Sequence, residues 1–225
     1  GMDDGSLHEP VVTRKLLDCL DPDSVFFDVG ANIGYFSVIA AEVCSDVNSF
    51  EMDPTLSSII ESNFQKNEIN GRVINKAVSD ESGMSVSFSP HQSDNPSTNQ
   101  LSMDTHTGIT VTTVALDDYA DEFEVFPDVV KIDVEGAEGG VLSGGNRIFS
   151  NNVEYIFLEI HPDHIDSFGY SLEDVSDFLS DRGYSCAVFD SHRSESSPDS
   201  VLQHVEATEI PKIKKNTMYF CYRDG

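Results

Sequence analysis

Val25-Phe26-Phe27-Asp28-Val29-Gly30-Ala31-Asn32-Ile33-Gly34-Tyr35-Phe36 is the stretch on which the fold turns. The run Val25–Val29 is mostly apolar and stops at Gly30, as a buried strand does, and residues 35–43 read as a helix. Gly30 lets the chain turn sharply. Gly34 lets the backbone approach a ligand and lets the helix pack on the sheet. Asn32 tolerates the unusual backbone angles of such a turn. A glycine loop between a strand and a helix is a place for a nucleotide-like ligand. The spacing Asp28-x-Gly30-x-x-x-Gly34 is not the GxGxxG of dinucleotide binding. A pyrophosphate wants a bare backbone cradle at a helix N-terminus. A carboxylate at Asp28 repels it but suits a ligand carrying an ammonium and a sulfonium. The expected ligand is therefore S-adenosyl-L-methionine (SAM) rather than a nicotinamide dinucleotide. The plain alternative is a structural turn with no ligand.

Outward from this loop, strands and helices alternate. Strands are expected at 47–51, 73–78, 129–132, 155–160, 186–189 and 218–222. Helices are expected at 56–67, where Leu56, Ile59, Ile60 and Phe64 share a face, and at 172–182, with Gly183 as the stop. The pattern predicts an α/β fold: a Rossmann-like, doubly wound, mostly parallel sheet of about seven strands with helices on both faces. Right-handed crossovers place the strand C-termini on one edge, where ligands bind. A helical lead-in, residues 1–24, precedes a single domain, 25–225. The polar segment 89–107 interrupts the alternation as a loop or lid. Segments 84–88 and 109–114 flank it like an antiparallel pair. A second Ser-rich loop spans 191–199.

The acids lie at the expected strand ends. Glu51 follows the second strand, about 20 residues after the glycine loop, where a carboxylate can accept from both ribose hydroxyls. Asp53, just before Pro54, reads as a helix cap. Asp80 follows the third strand and is either an adenine contact, with Val78 on the ring, or a turn residue. After the fourth strand comes Lys131-Ile132-Asp133-Val134-Glu135-Gly136-Ala137-Glu138, and the fifth ends in Glu159-Ile160-His161. Alternation puts Glu159 and His161 on one side of their strand. Adjacent strands then gather Asp133, Glu135, Glu159 and His161 near one point. His161, whose ordinary pKa lies near neutrality, is the expected general base, oriented by Glu159 or Asp133. A Mg or Mn ion on Asp133, Glu159 and His161 is the less favoured alternative. His164 and His192 lack acidic company and read as surface residues.

The whole chain narrows the function classes. Its 225 residues carry 40 acidic against 13 basic side chains, a formal net charge of -27. Such a surface repels nucleic acid and anionic membranes. It fits a solvated acidic coat in a salt-rich cytoplasm, with a cationic partner as the alternative. No run reaches membrane-span length, and the polar start is not a signal peptide. Cys19, Cys44, Cys186 and Cys221 show no zinc spacing and are expected as buried free thiols in a reducing, cytoplasmic setting.

Four strings in order — residues 27–36, Leu116-Asp117-Asp118-Tyr119, residues 131–138 and Leu158-Glu159-Ile160-His161 — resemble the FkbM-type SAM-dependent methyltransferases. The resemblance spans roughly residues 25–189. It implies an antiparallel last strand and O-methylation of hydroxyls on sugars, glycolipids or polyketide-like compounds. It carries the methionine end of the cofactor onto Asp28, Gly30, Asn32 and Gly34, the ribose onto Glu51 and the adenine end onto Asp80. The lead-in before the first strand is short, so the acceptor side is capped by it, by a partner or by a second subunit of a homo-oligomer. The competing functions are a nicotinamide-dependent oxidoreductase and a non-catalytic SAM-binding module.

Overall fold

The computed structural model describes residues 7–88, 101–102, 108–189 and 202–223. The glycine-loop strand β1 (Val25–Val29) is the centre of an eight-stranded sheet. Beside it lie β2 (Asp46–Phe50) and β8 (Val129–Ile132), both parallel to it. β3 (Arg72–Ile74) extends the sheet beyond β2, and β9 (Tyr155–Ile160) extends it beyond β8, again in parallel. β12 (Thr217–Tyr222) then runs antiparallel between β9 and β10 (Ser185–Phe189). An edge strand, β11 (Leu202–Val205), brings the count to eight rather than seven. The C-terminal ends of β1, β2, β3, β8 and β9 share one edge.

Alternation along β1 divides the core in two. Phe26 points to the side covered by α1 (Pro10–Asp18), α2 (Tyr35–Ala40) and α3 (Pro54–Lys66), through Val11, Leu16, Phe36, Ala40, Ile60 and Phe64. Phe27 and Val29 point to the other side. There α4 (Leu116–Phe123), α5 (Glu138–Gly144), α6 (Asn146–Asn151) and α7 (Leu172–Asp181) bury Leu116, Tyr119, Leu142, Phe149 and Leu179. Two helix starts are chemically marked. Asp53 accepts from the Thr55 N–H at 2.8 Å ahead of Pro54, the cap expected of it. Ser171 and Asp174 form a capping box on α7.

The expected strand 73–78 is two strands. It breaks after Ile74, and β4 (Ala77–Val78) leaves the main sheet to pair with β7 (Ile109–Val114). β7 also pairs antiparallel with β5 (Ser85–Phe88), the pairing expected of 84–88 and 109–114. β6 (Leu101–Ser102) lies within the segment expected to be a loop and adds to β5. The rest of 89–107, and all of 191–199 with His192, fall outside the described residues. Helix α2 ends at Ala40, short of residue 43, and helices α4 to α6 had no periodic stretch long enough to announce them. The four cysteines are free; Cys44, Cys186 and Cys221 are buried and Cys19 is half-buried. Among the described residues no helix is long and apolar enough to cross a membrane.

Candidate active site

The glycine loop is held by backbone geometry. Gly30 and Asn32 both take left-handed angles, at φ 76 and 54, and Gly34 caps α2 at φ 80. The Gly30 and Ala31 N–H groups both donate to the Phe50 carbonyl at 3.0 Å, tying the loop to the end of β2. A Cβ on Gly30 would lie 1.9 Å from the Asp133 carbonyl oxygen, so this glycine lets the loop touch the end of β8.

Asp28 has no exposed surface and lies beneath the loop rather than lining it. Its in-register neighbours are Ser49 on β2 and Lys131 on β8. Ser49 donates to Ser37, and Ser37 donates to Asp28 Oδ2 at 2.6 Å. Lys131 Nζ stands 3.7 Å from Oδ1, which has no hydrogen-bond partner. Burial pushes the Asp28 carboxyl up, against Lys131 and Ser37, which favour its charged form. The lysine is itself buried. Burial would lower it, but Asp133 and Asp28 outweigh that and hold it at about 12.

Glu51 follows β2 with 7% of its surface exposed. Its Oε2 accepts from the Asn32 N–H at 2.8 Å and its Oε1 from the Asp53 N–H at 2.9 Å. Each oxygen keeps a second lone pair, which is what two ribose hydroxyls require. Burial raises its pKa to about 7, with those two N–H groups holding it back. Asp80 lies elsewhere than the strand reading placed it. It follows β4 in the smaller sheet, exposed, accepting from Tyr170 and Ser79 at 3.0 Å each. It adjoins α5, where Gly140 and Gly144 pack on residues 79 and 80.

The second half of the site gathers as expected, with one correction. His161 is 2% exposed, and its Nε2 points among Asp133 Oδ1 at 3.9 Å, Glu135 Oε2 at 3.8 Å and Glu159 Oε1 at 4.0 Å. The carboxylate that orients the ring is neither Glu159 nor Asp133. It is Glu138, fully buried in the first turn of α5, whose Oε1 lies 2.7 Å from His161 Nδ1 and also accepts from the Gly136 N–H. Burial would lower the imidazole, but Glu138 and then Asp133 and Glu135 raise it to about 9. As the site stands, those acids favour the charged form of the ring. Burial, followed by Asp133, pushes Glu159 up, and burial does the same to Glu135. Glu135 is also left-handed at φ 50, an angle that strains a residue with a side chain.

Two more acids complete the picture. Glu138 stood in the quoted string but had no role assigned, because only the tertiary return of α5 to β9 brings it to His161. Glu9, left-handed at φ 43 at the head of α1, is buried near enough to Lys131 and Glu159 to raise both. Nothing local in the sequence signals that approach. Three ligand-type groups, from Asp133, Glu159 and His161, lie within 4.8 Å of one another. His164 is half-buried and its φ is ordinary.

Comparison with known proteins agrees with this fold. The profile of the Methyltransferase FkbM domain matches residues 28–186. The hexuronic acid methyltransferase AglP of Haloferax volcanii is 30% identical over 188 residues, 83% of this chain and 74% of that protein. The crystal structure of a methyltransferase FkbM from Methylobacillus flagellatus superposes with a TM-score of 0.55 at 16% identity, covering 90% of this chain. This chain spans only 44% of that one. An rRNA methylase from Streptococcus thermophilus shares the fold at TM-score 0.57 and 10% identity, over 96% of this chain and 97% of its own. The domain match covers the glycine loop, Glu51 and most of the acid cluster, and this chain belongs to the FkbM family of SAM-dependent methyltransferases.

Proposed function

We propose that the chain methylates a hydroxyl of a saccharide, with the acceptor seated over Asp133, Glu135, Glu159 and His161. The observation that supports this most is the contact between the two halves of the site. Gly30 rests against the Asp133 backbone, so a methionine end held by the loop abuts the acid cluster. The H. volcanii relative acts, by its name, on a hexuronic acid. Asn32 and Gly34 shape the loop for the methionine end, Asp28 supports it from below, Glu51 takes the ribose and Asp80 the adenine end.

The acceptor oxygen attacks the sulfonium methyl in line. The C–O bond forms as the C–S bond breaks, sulfur keeps the electron pair and S-adenosylhomocysteine leaves neutral. The hydroxyl proton must go to a base, and Glu135 is placed for it. Its side chain is 24% exposed, it faces the cluster at 3.8 Å, and its backbone is held in a strained angle. His161 and Lys131 offset the surrounding negative charge. Alignment supplies most of the remaining acceleration.

Incubation with methyl-labelled SAM and uronic-acid-containing glycans tests the reading. Label in a saccharide ether is the expected result. SAM binding with no saccharide ever labelled would leave a binding module instead. The acidic coat suits a salt-rich cytoplasm, since salt screens self-repulsion at a net charge of -27. Thermal unfolding should then shift upward between about 0.1 M and about 2 M KCl. An equal midpoint in both would remove that adaptation.

A further inference from the structure

We infer that Asp133, Glu159 and His161 Nε2 form a binding site for a hard divalent cation of the Mn or Mg type, at which the acceptor hydroxyl is seated.

Three observations carry this. The first is the ring. His161 is almost wholly buried, and its Nδ1 is committed to Glu138 at 2.7 Å. Metal-bound histidines characteristically present one nitrogen to the ion while the other donates to a buried carboxylate. Here Glu138 holds the Nδ1 side, which leaves Nε2 to an ion that displaces any proton there. The second is the unfilled direction of Nε2. Among the described residues it has no hydrogen-bond partner, and the nearest carboxylate oxygens stand back at 3.8, 3.9 and 4.0 Å. Those gaps are too long for hydrogen bonds. The gaps to Asp133 and Glu159 fall at the wide end of the about 3.0–4.2 Å that separates two ligand atoms on one octahedral ion, so these two carboxylates close in slightly on it. The third is charge. Asp133, Glu135, Glu138 and Glu159 stand around Lys131 and His161, with His164 toward Glu135 and Glu9 nearby, so acids outnumber the basic groups. A cation between the oxygens offsets the excess, and without one the acids repel each other in a partly buried place.

The donor set is two carboxylates and one imidazole, without thiolate, which suits Mn or Mg better than softer ions. A divalent ion there would acidify the acceptor hydroxyl and leave Glu135 free to take the proton. It would also let an anionic sugar approach a wall of carboxylates. This role rests on the saccharide reading, but the ion site itself does not.

The test uses Mn alone. The full chain, stripped with chelator, is titrated with Mn2+ in about 1 M KCl, which screens diffuse attraction by the acidic coat. Free Mn2+ is read by electron paramagnetic resonance. One saturable site per chain is expected, weakened at least tenfold in Asp133→Asn and in Glu159→Gln and unchanged in Glu173→Gln, exposed in the first turn of α7. The SAM dissociation constant, measured on the same samples, verifies that each variant is folded. No saturable Mn2+ site in the wild type, or a site that Asp133→Asn and Glu159→Gln leave intact, overturns the proposal. Saturable Mn2+ binding with no saccharide methylated would keep the ion site and remove only the acceptor reading.

Discussion

On the β1–β2 side of the crevice, carboxylates are met by donors from their own chain. Glu51 takes the Asn32 and Asp53 N–H groups, and Asp28 takes the Ser37 hydroxyl with Lys131 alongside. On the β8–β9 side, carboxylates face one another. Asp133, Glu135 and Glu159 stand around a ring nitrogen that none of them reaches within hydrogen-bond distance. The first side is complete as folded and receives a ligand with lone pairs to spare. The second carries more negative charge than its own cations offset, so it calls for positive charge from what binds there. A sulfonium provides some at the boundary between them. The difference separates a rigid cofactor seat from a place where charge and protons move.

Substitution at the boundary should have the largest effect, because it breaks both halves at once. Gly30→Ala puts a Cβ on the Asp133 carbonyl and forces an alanine to a φ of 76. A backbone atom cannot rotate away, so a loss of about 3 kcal/mol or more in urea unfolding is expected, with SAM binding lost too. Gly34→Ala meets only the Ile60 side chain, at 3.0 Å, and should lose less. Equal losses would mean that the Asp133 contact is not what the loop depends on.

The next pair should split the halves cleanly. Glu135→Gln removes the proton acceptor and nothing from the cofactor seat. Turnover should drop about a hundredfold, with the SAM dissociation constant within about threefold of wild type. Glu51→Ala should do the reverse at the binding step. It removes charged hydrogen bonds to the ribose, each worth about 1.5–3 kcal/mol, so calorimetry should show SAM affinity falling at least about tenfold. If Glu135→Gln weakened SAM as much as Glu51→Ala does, the two halves would be one electrostatic unit.

The two halves were also unequally legible in the sequence. The cofactor half is written locally. A strand, a glycine turn and a helix follow each other from Val25 to Tyr35, and Glu51 is one strand away, so periodicity and spacing suffice. The acidic half was legible as a neighbourhood but not as a geometry. Strand order brings β8 beside β9, and alternation puts Glu159 and His161 on one side. Which carboxylate holds the ring depends on how α5 turns back over the sheet, and that helix is too short and too glycine-rich to show a period. Glu138 therefore replaced Glu159 and Asp133 as the orienting group. Its 2.7 Å contact also holds the Nδ1 side of the ring, which leaves Nε2 alone to face the other acids. Glu9 reaches the cluster through the packing of α1 on α2, across more than a hundred residues of chain. The sheet that carries Asp80 was not legible for a related reason. The strand leading to it splits at Asn75, whose side chain donates to the Glu51 and Met52 carbonyls, and its second half joins another sheet.

The smallest effect tests the comparison through pH. Burial raises Glu51 from an ordinary 4.5 to about 7 in the folded chain. A carboxyl that holds its proton more tightly folded than unfolded contributes stability that is complete below about 4.5 and is lost as pH rises through about 7. The slope is at most about 1.4 kcal/mol per pH unit. Ribose hydroxyls, however, donate to the ionised carboxylate, so SAM binds the form that the empty fold disfavours. Across the same window, unfolding without SAM should become easier while SAM affinity climbs. Urea midpoints and calorimetric titrations at half-unit steps from pH 4.5 to 8 (a span set by those two values) measure both. Glu51→Gln should flatten the affinity slope and reduce the stability slope, since the amide does not titrate while Glu159 still does in that window. If both slopes survive in that variant, the titrating carboxyl belongs to the β8–β9 side. The cofactor seat would then sense the charge of its neighbour rather than holding its own.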